Sequence, residues 1–417
     1  MCNERKFFLL SCFLLFGLLL SACQFDNSMD SKDTIAHVGS TEPPSAAIEA
    51  WNQLQEISAS PEPTIAPTPK PSPMNVTLLA VGDDLVHEEV IDSGGQQGRD
   101  YNYDHLFAQM KERITAADIA VINQETILGG EELGYSGYPT FNSPTQIGDA
   151  IAKAGFDVVL QASNHAMDKG KQGIKNTLEF WKKYPEISVL GIHQSQKDQR
   201  DICVIERNAI KIAVLNATYG LNGITLSNEN AFRVDILKED WMKEQIKEAK
   251  EMADVVVVFA HWGTEYVYKA DEVQKKWTDF FADQGVDLVI GSHPHVIQPA
   301  EWVEGKQGNR MLVYYSLGNY ISYQKKAPRM LGEMAEVTFT KTEDGVKITE
   351  ASVTPIVTHY EKKSDYQFAT YLLSDYTQEL ALKHGVLEKE ENSPFSLEYL
   401  KDLSTKVLGD WKKINIK

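Results

Sequence analysis

Residues 255–263 read VVVVFAHWG and residues 288–295 read LVIGSHPH. In each, a run of β-branched and aliphatic residues stops abruptly at a polar cluster built from Gly and His. A run that is apolar at every position suits a strand buried on both faces, as in a parallel sheet covered by helices. Outward from these two stretches the same pattern recurs. Val76–Val81 runs into Gly82-Asp83-Asp84-Leu85-Val86-His87, Ile119–Ile122 into Asn123-Gln124-Glu125, and Val158–Leu160 leads to Ser163-Asn164-His165. Val189–Ile192, Ile212–Leu215 and Met311–Tyr315 complete the apolar runs.

Between many of these strands lie amphipathic stretches with helical spacing: Pro144–Ala154, Lys171–Lys183, Glu239–Met252 and Glu272–Gln284. Alternation of strand and helix predicts an α/β domain with parallel pairing at its core. Two hairpins are also predicted. Ile202–Arg207 turns at Asn208-Ala209 into Lys211–Asn216, and Met334–Thr340 turns at Asp344-Gly345 into Val346–Val353. Parallel strands mixed with hairpins imply two sheets. After Thr358 the pattern reads as helical, with helices expected over Tyr366–Lys383 and Ser396–Lys412, so residues 359–417 are expected to form a C-terminal helical extension of a domain spanning 74–358.

Five of the ten His fall in the strand-end clusters. Ligands of open α/β sheets bind beyond the carboxyl ends of the strands, so these clusters are expected to converge. A convergent set of Asp, Glu, Asn and His without Cys is an oxygen and nitrogen site suited to Zn, Mn or Fe. Each piece alone has a plainer reading: Asp83 as a turn former, Asn164-His165 as a cap for the following helix, His261 as a hydrogen-bonded core histidine. His293-Pro294-His295 is more pointed, because on extended backbone both rings of a His-x-His pair face one side.

The whole chain has 417 residues, 42% of them hydrophobic, and a formal net charge of −18. That balance argues against a nucleic-acid partner, which needs a basic face for phosphates. With four Cys, a disulfide framework is excluded. Arg5 and Lys6 precede an apolar run from Phe7 to Leu20 that ends in Leu20-Ser21-Ala22-Cys23. A basic head, a short apolar core and a small-residue exit mark a secretory signal peptide over residues 1–22, the alternative being an uncut anchor. The exit resembles a bacterial lipobox, which implies a diacylated Cys23, an outward-facing lipid-anchored protein on a bacterial cell membrane, and Cys203 as the one remaining thiol, buried in its strand. Residues 23–73 hold eight of the 16 prolines and read as an extended spacer, with a short helix possible only at Ile48–Ile57.

From about Asn75 to Thr358 the chain resembles the CapA family, named for poly-γ-glutamate capsule synthesis, whose fold belongs with the calcineurin-like metallophosphatases. The resemblance rests on Gly82-Asp83, Asn123-x-Glu125, Ser163-Asn164-His165-Ala166-Met167-Asp168-x-Gly170 and Thr218-Tyr219-Gly220-Leu221-Asn222-Gly223. It continues through His261-Trp262-Gly263-x-Glu265, Gly291-x-His293-Pro294-His295 and Ser316-Leu317-Gly318-Asn319-Tyr320. It implies a four-layer α/β/β/α sandwich and two divalent ions. Asp83, Asn164, His261, His293 and His295 match metal-binding positions, Glu125 the carboxylate shared by two ions, and His165 the catalytic histidine. The chain departs from the phosphatase pattern twice. Asp83-Asp84-Leu85 stands where Asp-x-His is usual, which makes Asp84 or His87 candidates for the missing ligand. Ala166 follows the Asn-His pair where an Asp is usual, with Asp168 two residues on.

The expected activity is that of a metal-dependent hydrolase acting on an extracellular acidic polymer such as poly-γ-glutamate. The alternatives are a non-catalytic assembly factor that holds the polymer beside a membrane synthase, and a phosphoesterase. Tyr219, Asn222, Trp262 and Glu265, with Tyr266 and Tyr268, are expected to line the groove, the aromatics reading equally well as packing under the sheet rim. Asn319 is expected beside them at the groove, donating hydrogen bonds near the site.

Overall fold

In the computed structural model, which describes residues 74–95 and 101–409, the apolar runs become strands of two mixed sheets. The first begins with β1 (Met74–Asp84), β2 (Ile119–Gln124), β3 (Val158–Leu160) and β4 (Ser188–Leu190), parallel and side by side. The second is built from β5 (Cys203–Arg207), β6 (Ile210–Thr218), β7 (Val255–His261), β8 (Leu288–Ser292), β9 (Ala300–Glu304) and β10 (Arg310–Tyr314). Its order is β5-β6-β7-β8-β10-β9, with antiparallel hairpins at both edges and parallel pairing between. The chain then returns to the first sheet. The short β11 (Asn319–Ile321) pairs with the end of β1, and β12 (Leu331–Thr342), β13 (Gly345–Lys362) and β14 (Tyr366–Leu372) extend its other side as a meander.

Strand alternation builds the layers. Val255, Val257 and Phe259 of β7 join Ile212, Val214, Leu288 and Ile290 in the cluster that also holds Leu78, Ala80, Val121 and Val337 of the first sheet. Their neighbours Val256, Val258 and Ala260 face the other way, onto Met242, Ile246 and Phe281 of the helices Glu239–Met252 and Glu272–Gln284. A strand covered on both faces has no polar side, which is why these stretches read as unbroken apolar runs. The helix Thr145–Ala154 adds Ile147 and Ile151 to the first sheet's cluster. Two sheets and their helices therefore match the layered α/β expectation, and both predicted hairpins form.

The expected helical extension is corrected. Tyr366–Leu372 is strand, not helix: it pairs antiparallel with β13, and Phe368 and Thr370 are buried on one side. An aromatic and β-branched period-2 pattern won over the helical spacing. Because β13 continues to Lys362, no boundary falls at Thr358. Among the described residues helices follow at Gln378–Lys383, Val386–Lys389 and Leu397–Leu408, and Ala381, Val386, Leu400 and Leu408 pack into the main core. Cys203, on the edge strand β5, is half-buried rather than buried, and burial still pushes its thiol up. The chain divides into the units Met1–Lys70 and Pro71–Lys417. The signal segment, Cys23, the spacer and the helix at Ile48–Ile57 lie outside the described residues.

Two glycines set the site's floor. A Cβ at Gly82 would collide with the Gly318 carbonyl oxygen, and one at Gly291 with the Tyr315 carbonyl oxygen. Only backbone fits there. The Asp83 N–H can then donate to Gly318 O at 2.9 Å, which joins the end of β1 to the loop before β11.

Candidate metal centre

The carboxyl ends of β1, β2, β7 and β8 meet at one place. Asp83 sits at the end of β1, fully buried, and accepts hydrogen bonds from Asn123 Nδ2 at 2.8 Å and from the His293 N–H at 3.3 and 3.4 Å. Glu125 follows β2. Its N–H donates to Asp84 O at 3.2 Å, and its carbonyl accepts from Ser163 Oγ at 2.6 Å. His261 is the last residue of β7, and His293 and His295 follow β8. Three groupings bring ligand atoms within 4.8 Å of one another: Glu125, His261 and His293; Asp83, Glu125 and His295; and Glu265, His293 and His295. Glu125 Oε1 lies 3.7 Å from His261 Nε2 and 3.8 Å from His295 Nε2, so one carboxylate stands between two ligand sets.

The His-x-His pair reaches this place by a different backbone than expected. His293 has φ 96° and His295 φ 56°, both in the left-handed region rather than extended. Such angles are unfavourable for residues with a Cβ and persist where surrounding structure fixes them. Here the Asp83 carboxylate holds the His293 N–H, and Asn319 Nδ2 donates to the His295 carbonyl at 3.2 Å. The two rings, 5.9 Å apart, still serve the same cluster.

Each imidazole is oriented by a second contact. His261 Nδ1 lies 3.0 Å from Ser292 Oγ, leaving Nε2 to face Glu125 and Asn164 Oδ1, the latter at 2.8 Å. Asn164 Nδ2 donates to Asn222 Oδ1 at 3.1 Å, which points its oxygen at the cluster. His295 Nδ1 lies 3.0 Å from Asp83 Oδ2 and 3.1 Å from Asn319 Oδ1. Such partners fix tautomer and ring orientation in metal sites. Ser292 and the role of Asn123 escape the sequence reading, because a serine inside a strand carries no distinctive pattern.

The electrostatics conflict in a way that a cation resolves. Burial pushes Glu125 well above the usual carboxylate range, with Asp83 and Glu265 adding to the shift and His295 opposing it. Burial and the neighbouring histidines hold His261 well down and His293 down to about 3. Burial also opposes protonation of His295, yet Glu125 and Asp83 together carry it up to about 9. Both Glu125 oxygens and His293 Nδ1 are buried without a hydrogen-bond partner among the described residues. Buried polar atoms are rarely left so. Two imidazoles held neutral and carboxylate oxygens without hydrogen-bond partners, in groupings that contain no Lys or Arg among the described residues, are a donor set that fits a divalent ion.

His165 stands beside this cluster, outside the three groupings. Its Nδ1 lies 2.8 Å from Asp168 Oδ2, and Phe141 meets its ring edge-on at 4.6 Å. The Phe141 N–H donates to the same Asp168 oxygen at 2.7 Å. Asp168 therefore orients His165 and belongs to none of the ligand groupings. Neither Asp84 nor His87 joins them either. Asp84 is buried with neither oxygen hydrogen-bonded among the described residues, and burial raises it to about 8. Successive strand residues face opposite sides, so with Asp83 in the site Asp84 turns away. His87 accepts from the Tyr323 N–H at 3.2 Å and is held down to about 4 by burial.

The expected groove residues divide. Tyr219, 42% exposed, lies with its ring 4.7 Å from His293, and Asn222 and Glu265 are exposed at the rim. Trp262 is fully buried: its Nε1 donates to Tyr315 O at 2.9 Å and its ring packs on Phe281, so it is core rather than groove. Asn319 donates near the site as expected, to the His295 carbonyl, but it is fully buried and braces His295 rather than lining the groove.

Comparison with known proteins finds relatives in sequence and in structure. The family model described as "Bacterial capsule synthesis protein PGA_cap" matches residues 77–324. The chain is 28% identical over 265 residues to "Capsule biosynthesis protein CapA" of Bacillus anthracis, covering 62% of each chain. It is 35% identical over 168 residues to "PGA biosynthesis protein CapA" of Bacillus subtilis (strain 168), covering 40% of this chain and 42% of the relative. The chain thus spans less than two thirds of the length of these curated relatives. Among solved structures, calcineurin-like phosphoesterase YfkN from Bacillus subtilis is similar with a TM-score of 0.43 at 13% identity, over 79% of this chain and 100% of that one. Haemophilus influenzae NAD nucleotidase is similar with a TM-score of 0.45 at 11% identity, over 80% and 67%.

Proposed function

The chain belongs to the bacterial capsule synthesis protein family, and on that premise we propose that it is a surface lipoprotein whose metal centre hydrolyses an extracellular acidic polymer of the poly-γ-glutamate class. The observation that carries this reading is the buried convergence of Asp83, Glu125, His261, His293 and His295, with Glu125 between two ligand sets and neither of its oxygens hydrogen-bonded among the described residues. These residues, with Asn164, would hold one or two divalent ions of the Mn, Zn or Fe type. A bound ion would supply Lewis acidity and a lowered pKa for water.

The rest is done by the chain itself. Asp168 holds His165 through Nδ1 and leaves Nε2 as the proton-carrying atom. From there His165 delivers a proton to the departing amide nitrogen, and Asp168 stabilises the imidazolium before transfer. Tyr219 and Glu265 stand at the entrance. Anchoring through Cys23 and the proline-rich spacer would hold the centre outside the membrane, beside the synthase that extrudes the polymer.

The test is a product assay on poly-γ-glutamate and on a phosphodiester, with Mn, Zn or Fe supplied to the purified chain. Shortening of the polymer supports the reading. Cleavage of the phosphodiester alone, or polymer binding without cleavage, contradicts it.

A further inference from the structure

A polyanion approaching this centre meets a chain of net charge −18. Local cations must receive it. One guanidinium is built into the surroundings of the ligand pair. Arg329 lies over the Tyr266 ring, 3.4 Å from its centroid, and its Nη1 donates to Gln324 Oε1 at 2.8 Å. The Tyr266 ring in turn lies 6.1 Å from that of His295. Among the described residues no carboxylate lies within ion-pair distance of Arg329, whereas the nearby Lys326 is engaged by Glu390 at 3.2 Å.

Two tethers tie the Arg329 backbone and the Tyr266 platform to the metal ligands. Asn319 Nδ2 donates to Arg329 O at 3.0 Å while the same side chain holds His295. Tyr266, at φ 66°, donates its N–H to Pro294 O at 2.7 Å, within the His-Pro-His segment itself. A stacked guanidinium with most of its N–H groups uncommitted is suited to take a planar carboxylate with two parallel bonds, which an ammonium cannot reproduce.

We propose that Arg329 is a specificity-determining residue that binds a free carboxylate of the acidic polymer beside the metal centre. This rests on the reading of the site as one that handles such a polymer. Tyr266 keeps the guanidinium flat, and Asn319 couples its position to His295.

The experiment is calorimetric titration of the Mn-loaded full-length chain, as wild type, R329Q and R329K, with a γ-linked glutamate oligomer. The same oligomer with its α-carboxylates amidated, and inorganic phosphate, serve as comparison probes. R329Q is expected to weaken binding of the acidic oligomer by about tenfold to a hundredfold, the range for a charge-assisted contact. R329K should recover only part of this, and the amidated oligomer should bind wild type and R329Q alike. Equal binding of the acidic oligomer by R329Q and wild type would overturn the role of Arg329 while leaving the polymer reading intact. No binding of the oligomer by wild type would overturn that reading itself. Loss of phosphate affinity in R329Q with oligomer binding unchanged would overturn the carboxylate assignment.

Discussion

The histidine next to Asn164 and the histidines at the strand ends have different work to do, and substitution separates them. His165→Ala removes no member of the ligand groupings, so metal content should stay at the wild-type level while the rate falls by roughly 10²–10⁴-fold, the usual worth of general acid catalysis. Asp168→Asn should fall in the same direction by less, because Asn still fills the space yet no longer stabilises a charged His165. Its pH–rate profile should shift, which a purely structural loss would not produce. Metal analysis with initial rates on the polymer checks both. Metal lost together with activity in either variant would make His165 a ligand instead. At this scale the sequence was largely readable. His261, His293, His295, Asp83 and Glu125 are conspicuous because each interrupts or ends an apolar run. Trp262, open in the sequence between groove and packing, resolves as packing, because after His261 the chain dives back under the rim. Asn319 was legible only in part: it donates a hydrogen bond near the site, but a buried asparagine that braces a ligand looks the same in sequence as one that faces a groove.

Strands and the turns between them hold these residues in place, and the tightest element is the junction of β1 with the loop before β11. Gly82→Ala places a methyl group against the Gly318 carbonyl, so backbone must move. Overpacking of this kind costs about 1–3 kcal/mol, and the thermal midpoint should fall accordingly. The displaced Asp83 should also lose its contacts to Asn123 and His293, so metal affinity should drop with stability. Differential scanning calorimetry and a metal titration on Gly82→Ala test this, and a wild-type midpoint would show that the approach of the two backbones is not tight. The unbroken apolar runs made the two sheets legible. The left-handed backbone at His293 and His295 was not legible, because Pro294 between two His is equally compatible with an extended segment, and the fold of the distant β1 end decides. The strand Tyr366–Leu372 was misread for a related reason. Its burial comes from pairing with β13, a partner that local spacing does not reveal.

Across the whole molecule, anchoring, acid stability and metal binding are separable. Cys23→Ala should release the chain from membranes and abolish lipid labelling while its circular dichroism spectrum is unchanged; a mutant that stays lipid-labelled would contradict the lipoprotein reading. The C-terminal helices are clasped to the sheet by two buried histidines. His359 Nδ1 meets Tyr376 Oη at 2.7 Å, and His384 Nε2 meets Thr358 O at 2.9 Å. Burial holds His359 down to about 4 and His384 down to about 3, with Glu361 opposing and Lys363 and Lys383 adding to the shift of His359. Both folded values lie below the ordinary histidine value, so the unfolded chain takes up these protons first. Stability should therefore decline as pH falls below about 6.5 and continue to decline toward pH 4, by on the order of 3 kcal/mol per ring at most. His384→Gln should flatten that slope, and an unchanged slope in thermal melts from pH 7 to 4.5 would contradict the assignment. The central claim is that strand ends build a metal centre. Its most direct test is metal content of the purified chain beside His261→Ala and a His293→Ala, His295→Ala double variant, with folding checked by circular dichroism. Stoichiometric divalent metal in the wild type, lost in both folded variants, is the predicted result; full occupancy in both variants would contradict it.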